Sequence, residues 1–153
     1  MKVIRIIATI LVSVSMAFIL ACSEEKTASL EGHEDKVAVL QKLVDCLDTP
    51  ETTKEIFAEN AVLKWQDHDT AQWREQKGVK EIQKYYKERG ENYRYVKLAI
   101  SDIKEDADNA HVEYQITMQD RRSSVEYKAN GSAEMVKQGQ AWKIKDAMSK
   151  MFQ

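Results

Sequence analysis

Apolar residues recur at every second position through the C-terminal half of the chain, and this alternation constrains the fold more than any other feature. It predicts four strands, near 93–103, 110–119, 124–137 and 140–150. The joining segments are short and rich in turn-forming residues, so we expect an antiparallel meander. The apolar set consists of Val96, Leu98, Ile100, Val112, Tyr114, Ile116, Met118, Tyr127, Ala129, Gly131, Ala133, Met135, Trp142, Ile144 and Met148. One face of the sheet is therefore apolar and the other polar, which is typical of a sheet covered on a single side.

The N-terminal half has helical spacing instead. An apolar stripe predicts a first helix, and its members are Val37, Leu40, Leu43, Val44 and Leu47. Thr49 and Pro50 predict the start of a short second helix, with Ile56 and Phe57 as its apolar face. Segments 61–66 and 72–76 read as a strand hairpin, and 78–87 reads as a third helix. We expect an α+β fold in which three helices cover the apolar face of the sheet.

The first residues indicate export rather than a part of the fold. Lys2 and Arg5 precede fifteen uncharged residues at 6–20. A run of that length falls short of the roughly 20 residues that a transmembrane helix needs. It matches the apolar region of a secretory signal peptide, which we place at residues 1–21.

The end of this run resembles the lipobox of bacterial lipoproteins, in the sequence Ile19-Leu20-Ala21-Cys22. The resemblance implies cleavage after Ala21 and a diacylglycerol on the Cys22 thiol, which would attach the protein to a membrane. Polar residues then make 22–32 a flexible tether to a domain at 33–153. Ser23 follows the cysteine, so in a Gram-negative cell the resemblance implies that the lipid attaches the protein to the periplasmic face of the outer membrane. The alternatives are an ordinary cleaved signal with an incidental cysteine, or an uncleaved anchor.

Charge and cysteine content exclude several classes of protein. The chain has 23 basic and 25 acidic residues and a formal net charge of −2. It therefore lacks the strong positive potential that would attract nucleic acid. Two cysteines make no disulfide framework, and their spacing with histidine is not that of a zinc site. With Cys22 lipidated, Cys46 is predicted to be a buried, inert residue on the first helix. The sequence predicts no cofactor and no metal.

Three local patterns resemble the nuclear-transport-factor-like (cystatin-like cone) superfamily, and its SnoaL-like group best. Residues 56–62 resemble the F-A-x-D/N-A entry into the first strand, and 78–86 resemble the G-x-x-x-I-x-x-F/Y helix. Gly131 and 139–144 resemble the closing G…G-x-W-K-I strand, so the matches run from about 34 to 150. The resemblance implies a curved, mostly antiparallel sheet closed by three N-terminal helices, with a pocket between them. Members include isomerases, dehydratases, polyketide cyclases, oligomerisation modules and transport factors, so the fold leaves function open.

Two acidic residues are candidates for catalysis. Strict alternation places Asp146 on the apolar face, where an unpaired carboxylate would have a raised pKa and suit acid–base chemistry. Asp146 has three alternative roles, namely a catalytic residue, a polar pocket residue, or a structural residue that is solvated or turned outward by a bulge. In the ketosteroid-isomerase-like branch the base follows the Phe-Ala entry, at the position of Trp65 here, and Asp67 lies two residues later. The sequence Asp67-His68-Asp69 reads otherwise as a polar hairpin tip.

Aromatic residues of the apolar face predict a ligand pocket. Its expected lining is Trp65, Tyr114, Tyr127, Trp142 and Asp146, and such walls suit an apolar or ring-containing ligand. The small residues Ala129, Gly131 and Ala133 form a column that either leaves room for a ligand or allows the sheet to bend.

Three functions remain open on these grounds. The first, which we favour, is a non-catalytic, membrane-anchored domain that binds a small apolar ligand. The second is an interaction module for an envelope protein, and the third is an isomerase or dehydratase that uses Asp146 or Asp67. Many relatives dimerise through the outer sheet face, which is charged here, so we expect a monomer or a weak homodimer.

Overall fold

The structure is a computed structural model that describes residues 30–67 and 70–152. The predicted signal peptide 1–21, Cys22 and the tether as far as residue 29 lie outside the described residues. Within the described ranges, no helix combines the length and the apolar character needed to cross a bilayer.

The elements follow the predicted order. The helices are α1 (Glu34–Asp45), α2 (Thr53–Ile56) and α3 (Val79–Gly90), and a 3-10 turn spans Pro50–Thr52. The strands are β1 (Phe57–Gln66), β2 (Trp73–Lys77), β3 (Tyr93–Asp106), β4 (Asn109–Asp120), β5 (Glu126–Gln138) and β6 (Ala141–Phe152). They form one sheet in the order β2-β1-β6-β5-β4-β3. β1 and β6 are parallel and the remaining neighbours antiparallel, so the α+β fold with a C-terminal meander is confirmed.

The second helix is shorter than its apolar residues predict. Pro50 lies in the 3-10 turn that precedes α2, and the Thr53 hydroxyl donates a hydrogen bond to the Pro50 carbonyl over 2.6 Å. Phe57 then adopts an extended conformation (φ −95°, ψ 144°) and pairs with Ile144 of β6. Ile56 and Phe57 are both buried, as expected, but Phe57 begins β1 instead of extending the helix. Pairing with a parallel neighbour here outweighs the local helical pattern.

One core lies between the helices and the inner sheet face. The helices contribute the apolar side chains Leu40, Leu43, Cys46, Leu47, Ile56, Val79, Ile82 and Tyr86. Opposite them, the sheet contributes Ala110, Val112, Tyr114, Ile116, Met118, Ala129, Ala133, Met135, Trp142, Ile144 and Ala147. Most of the set selected by alternation is thus confirmed as the buried face.

Two bulges correct the predicted alternation. On β3 the register shifts between Tyr95 and Lys97, which leaves Val96 39% exposed on the outer face. On β6 it shifts around Lys145, so Met148 is 46% exposed and Ala147 takes the inward position. A bulge adds one residue to one strand and exchanges the faces of all residues beyond it.

A charged cluster joins the start of α1 to the far end of the sheet. Lys36 is only 2% exposed, and its Nζ lies 2.8 Å from Asp35 and 3.0 Å from Glu105. The same ammonium lies 4.4 Å from the ring centroid of Trp142, a cation–π contact. His33 Nδ1 also lies 3.0 Å from Glu105. The cluster fixes α1 to β3 and β6.

We expect this cluster to make stability depend on acid pH. Hydrogen bonds from Lys36 lower the pKa of both Asp35 and Glu105. A lowered folded-state pKa contributes stability that is complete above the unfolded-state value and is lost as the pH falls through the folded-state value. The melting temperature should therefore drop below about pH 4.3, the ordinary glutamate pKa.

Lys36→Met should reduce that acid-induced drop in melting temperature, because it removes the donor responsible for the lowered values. Lys80→Met, at an exposed position of α3, is the matched control and should retain the wild-type pH profile. Equal profiles for Lys36→Met and the wild type would contradict this role of the cluster.

Candidate functional site

A cleft opens at the end of the sheet opposite the Lys36 cluster. It encloses about 230 Å³ between the last turns of α3, the end of β1 and the near ends of β3, β5 and β6. Its lining consists of Trp65, Gln66, Asp67, Arg89, Tyr93, Tyr127 and Met151. Five of these residues also line a smaller inner cavity of about 20 Å³, so the cleft leads inward towards the core.

Aromatic rings form part of the walls of this cleft and of the inner cavity behind it. The rings of Trp65 and Tyr85 lie 4.3 Å apart between centroids, and those of Tyr93 and Tyr127 lie 6.4 Å apart, edge to face. Tyr85 and Arg89 are four residues apart on α3, a spacing that puts both on the helix face towards the cleft. Such walls offer flat apolar surface with hydroxyl groups at its edges.

Further tyrosines fill the inside of the cone. Tyr86 contacts both Tyr85 (5.2 Å between centroids) and Tyr95 (6.4 Å). Burial raises the pKa of Tyr85, Tyr86, Tyr95 and Tyr114, most strongly for the fully enclosed rings. These phenols are therefore neutral across the physiological pH range. Tyr85 and Tyr95, which line the inner cavity, are available there as hydrogen-bond donors.

The cleft contains a cation in an aromatic setting. The Arg89 Cζ lies 4.8 Å from the ring centroid of Tyr93 and 5.8 Å from that of Tyr85. Its Nη2 lies 3.8 Å from the Met151 sulfur. Within residues 30–67 and 70–152, Arg89 makes no salt bridge to a carboxylate.

The structure separates the predicted pocket residues. Trp65 and Tyr127 both line the cleft. Trp142 is buried at the opposite end of the sheet beneath Lys36. Tyr114 is 5% exposed and lies within the core. The structure therefore brings only Trp65 and Tyr127 of the predicted lining together, and it places Tyr114, Trp142 and Asp146 elsewhere.

Asp146 lies on the outer face of the sheet, against the expectation from strict alternation. The register shift around Lys145 pairs Asp146 with Glu134, whose side chain is exposed. Asp146 lines an outer groove of about 250 Å³ together with Val62, Lys64, Ser132, Glu134, Ala147 and Met148. The outward turn by a bulge, one of the alternatives that the sequence allows, is what the structure has.

Asp67 caps the turn between β1 and β2. Its Oδ1 accepts hydrogen bonds from the Thr70 amide and the Thr70 hydroxyl, each over 3.0 Å, which agrees with a polar hairpin tip. The side chain also lies at the rim of the cleft. His68 and Asp69 lie outside the described residues, and the described part of the chain has no group of three or more side chains suited to hold a metal ion.

The small-residue column has a further use at one of its positions, Gly131. A Cβ added at Gly131 would lie 2.5 Å from ring carbons of Tyr114, its cross-strand partner. The missing side chain thus makes room for the Tyr114 ring, which occupies space that a ligand would otherwise take.

Cys46 agrees with its prediction, since it is fully buried and burial raises the pKa of its thiol to about 12.

Sequence reasoning missed Arg89, Tyr93 and Met151 as cleft residues. The predicted third helix stops at 87, whereas α3 continues to Gly90 and carries Arg89 into the site. The four-residue spacing of Tyr85 and Arg89 was a usable signal. Tyr93 and Met151 lie at the ends of strands, where the alternation carries the least information.

Comparison with solved structures identifies the fold. No protein-family profile and no curated protein matches this sequence. A cystatin-like-fold protein from Nostoc punctiforme superposes with a TM-score of 0.63 at 15% identity, covering 78% of this chain and 90% of that chain. A ketosteroid isomerase-like protein from Erwinia carotovora atroseptica gives 0.64 at 13% identity, covering 78% and 94%. An NTF2-like protein from Shewanella baltica gives 0.60 at 15% identity, covering 82% and 97%. The chain thus has the NTF2-like, cystatin-like cone fold, and these identities support the fold alone.

Proposed function

We propose that the protein is a membrane-anchored lipoprotein whose cone domain binds a small, flat, apolar ligand in the cleft without transforming it. The observation that carries this proposal is a cleft of about 230 Å³ in which the rings of Trp65, Tyr93 and Tyr127 meet the polar side chains of Gln66, Asp67 and Arg89. Burial of ring surface against ring surface is the main source of affinity in such a site.

The positions of the two candidate acids support binding over catalysis. Asp146 is on the outer face, behind the sheet as viewed from the cleft. Asp67 directs one carboxylate oxygen to two hydrogen bonds in its own turn. An acid–base residue must reach the proton that it transfers, within about 3.2 Å or through one water. The isomerase or dehydratase alternative therefore depends on Asp67 alone.

The position of the cleft suits a tethered protein. The predicted lipid on Cys22 precedes α1, whose first turn lies at the Lys36 cluster. Trp142 in that cluster and Met151 in the cleft are nine residues apart on β6, or roughly 30 Å at the usual rise of a strand. On this proposal the cleft lies at the end of the domain away from the start of α1, where the tether joins. We retain the monomer or weak homodimer as part of the proposal.

The proposal is tested by titrating the protein with naphthalene-2-carboxamide, a flat neutral probe, in a calorimeter. We expect saturable one-to-one binding, and Trp65→Ala should weaken it about tenfold because one wall of aromatic surface is lost. Trp73→Ala is the matched control, since Trp73 is 50% exposed on the neighbouring strand and lines neither cavity. No binding, or equal weakening by both substitutions, would contradict the proposed site.

A further inference from the structure

Arg89 occupies an unusual place for a charged side chain in this protein. Its guanidinium is half-buried in the cleft wall, between the rings of Tyr85 and Tyr93 and beside the Met151 sulfur. The rings and the thioether offer it π-electron density and a weak acceptor, and neither carries a negative charge.

Two other cationic side chains, Lys36 and Arg121, are each paired with carboxylates. The buried Lys36 lies within 3.0 Å of two carboxylates, Asp35 and Glu105. Arg121 pairs with Asp48 and also donates to two backbone carbonyls. Arg89 has no carboxylate within salt-bridge distance among the described residues, although Asp67 lines the same cleft.

The chemistry of the guanidinium indicates what this charge would bind. It has five N–H donors in a planar fork that matches the two oxygens of a carboxylate. The cation–π contact with the Tyr93 ring uses none of these donors in a hydrogen bond to an oxygen. Asp67 lies at the rim of the same cleft, and its Oδ1 is bonded to Thr70.

We propose that the cleft selects flat apolar molecules that carry a carboxylate, and that Arg89 binds the carboxylate while the tyrosine and tryptophan rings hold the skeleton. This inference rests on the proposed function and adds the ligand class to it. Aromatic carboxylic acids are the simplest members of that class.

The test compares two probes of nearly the same shape, 2-naphthoate and naphthalene-2-carboxamide, which differ in charge. The wild-type protein should bind the acid about tenfold more tightly than the amide, because hydrogen bonds to a charged group are the stronger ones. Arg89→Gln should abolish this preference, and Arg89→Lys should retain part of it, since the charge remains and the fork is lost.

Lys87→Gln is the matched control. It removes one positive charge from an exposed position two residues away on the same helix, and it should leave the preference for the acid unchanged. A loss of preference in Lys87→Gln equal to that in Arg89→Gln would indicate general electrostatic attraction and overturn the assignment to Arg89.

The outcomes separate the two proposals. If the wild type binds the amide and the acid equally, the ligand class is wrong and the apolar site stands, whatever the variants do. If it binds neither probe, the proposed function itself fails.

Discussion

Gly90→Ala is expected to lower the free energy of unfolding by about 3 kcal/mol, the upper part of the usual range for overpacking a core. The added Cβ would lie 2.0 Å from the carbonyl oxygen of Leu47, two residues after the end of α1. Helix propensity alone predicts the opposite sign, because alanine in a helix is favoured over glycine by about 1 kcal/mol. The close approach of two backbones decides between these effects.

The neighbourhood of Gly90 gives little scope for relief. Arg121 Nε donates to the Gly90 carbonyl over 2.8 Å, and the same side chain pairs with Asp48, directly after Leu47. Moving the end of α3 away from Leu47 and Asp48 would break this connection. The loss of stability is measured by urea unfolding of the purified protein.

Gly139→Ala is the control, because it is the same substitution at a position where no atom lies close to the added Cβ. Nothing lies within 4 Å of its added Cβ, although its φ of +65° makes alanine strained there. We expect a loss of about 1 kcal/mol from that strain. A Gly90→Ala variant as stable as the wild type, or more stable, would show that the end of α3 does not approach the Leu47 backbone as described.

Gly131→Ala is expected to cost about 2 kcal/mol, because the added Cβ would lie 2.5 Å from the Tyr114 ring. Tyr114 is 5% exposed, so its ring is enclosed by the core on the inner face. The prediction is specific to this pair, so a double-mutant cycle tests it.

In a Tyr114→Ala background the same Gly131→Ala substitution should cost less than about 0.5 kcal/mol, because the clashing ring is absent. Tyr114→Ala alone should cost about 3 kcal/mol, as expected for truncating a large buried aromatic side chain. Strictly additive losses in urea unfolding would mean that the Gly131–Tyr114 contact does not exist.

Much of the fold could be predicted because its signals are periodic and local. The alternation of β4 and β5 and the stripe of α1 each recur over several residues, and both appear in the buried face. Local residue preferences likewise predict the hairpin of β1 and β2 and the start of a helical turn at Pro50. Each of these patterns follows from the repeat of a single strand or helix, so a short stretch of sequence is enough to recognise it.

The errors arise where one residue is inserted or where a distant strand competes. A bulge at Lys145 reverses the face of Asp146 and Met148, and alternation carries no sign of it. Phe57 leaves the helical pattern because it pairs with Ile144, almost ninety positions later in the chain. The cleft combines the ends of four strands and one helix, and no short stretch of sequence contains that arrangement.

The most direct test of the proposed site uses the three tryptophans of the chain as reporters at three places in the fold. Trp65 lies in the cleft, Trp73 is 50% exposed on β2, and Trp142 is 4% exposed at the far end of the sheet. The measurement is the NMR shift of each indole N–H signal as naphthalene-2-carboxamide is added. The account predicts a saturable shift of the Trp65 signal with the Trp142 signal unchanged. A shift of Trp142 without Trp65, or no shift at saturating probe, would contradict it.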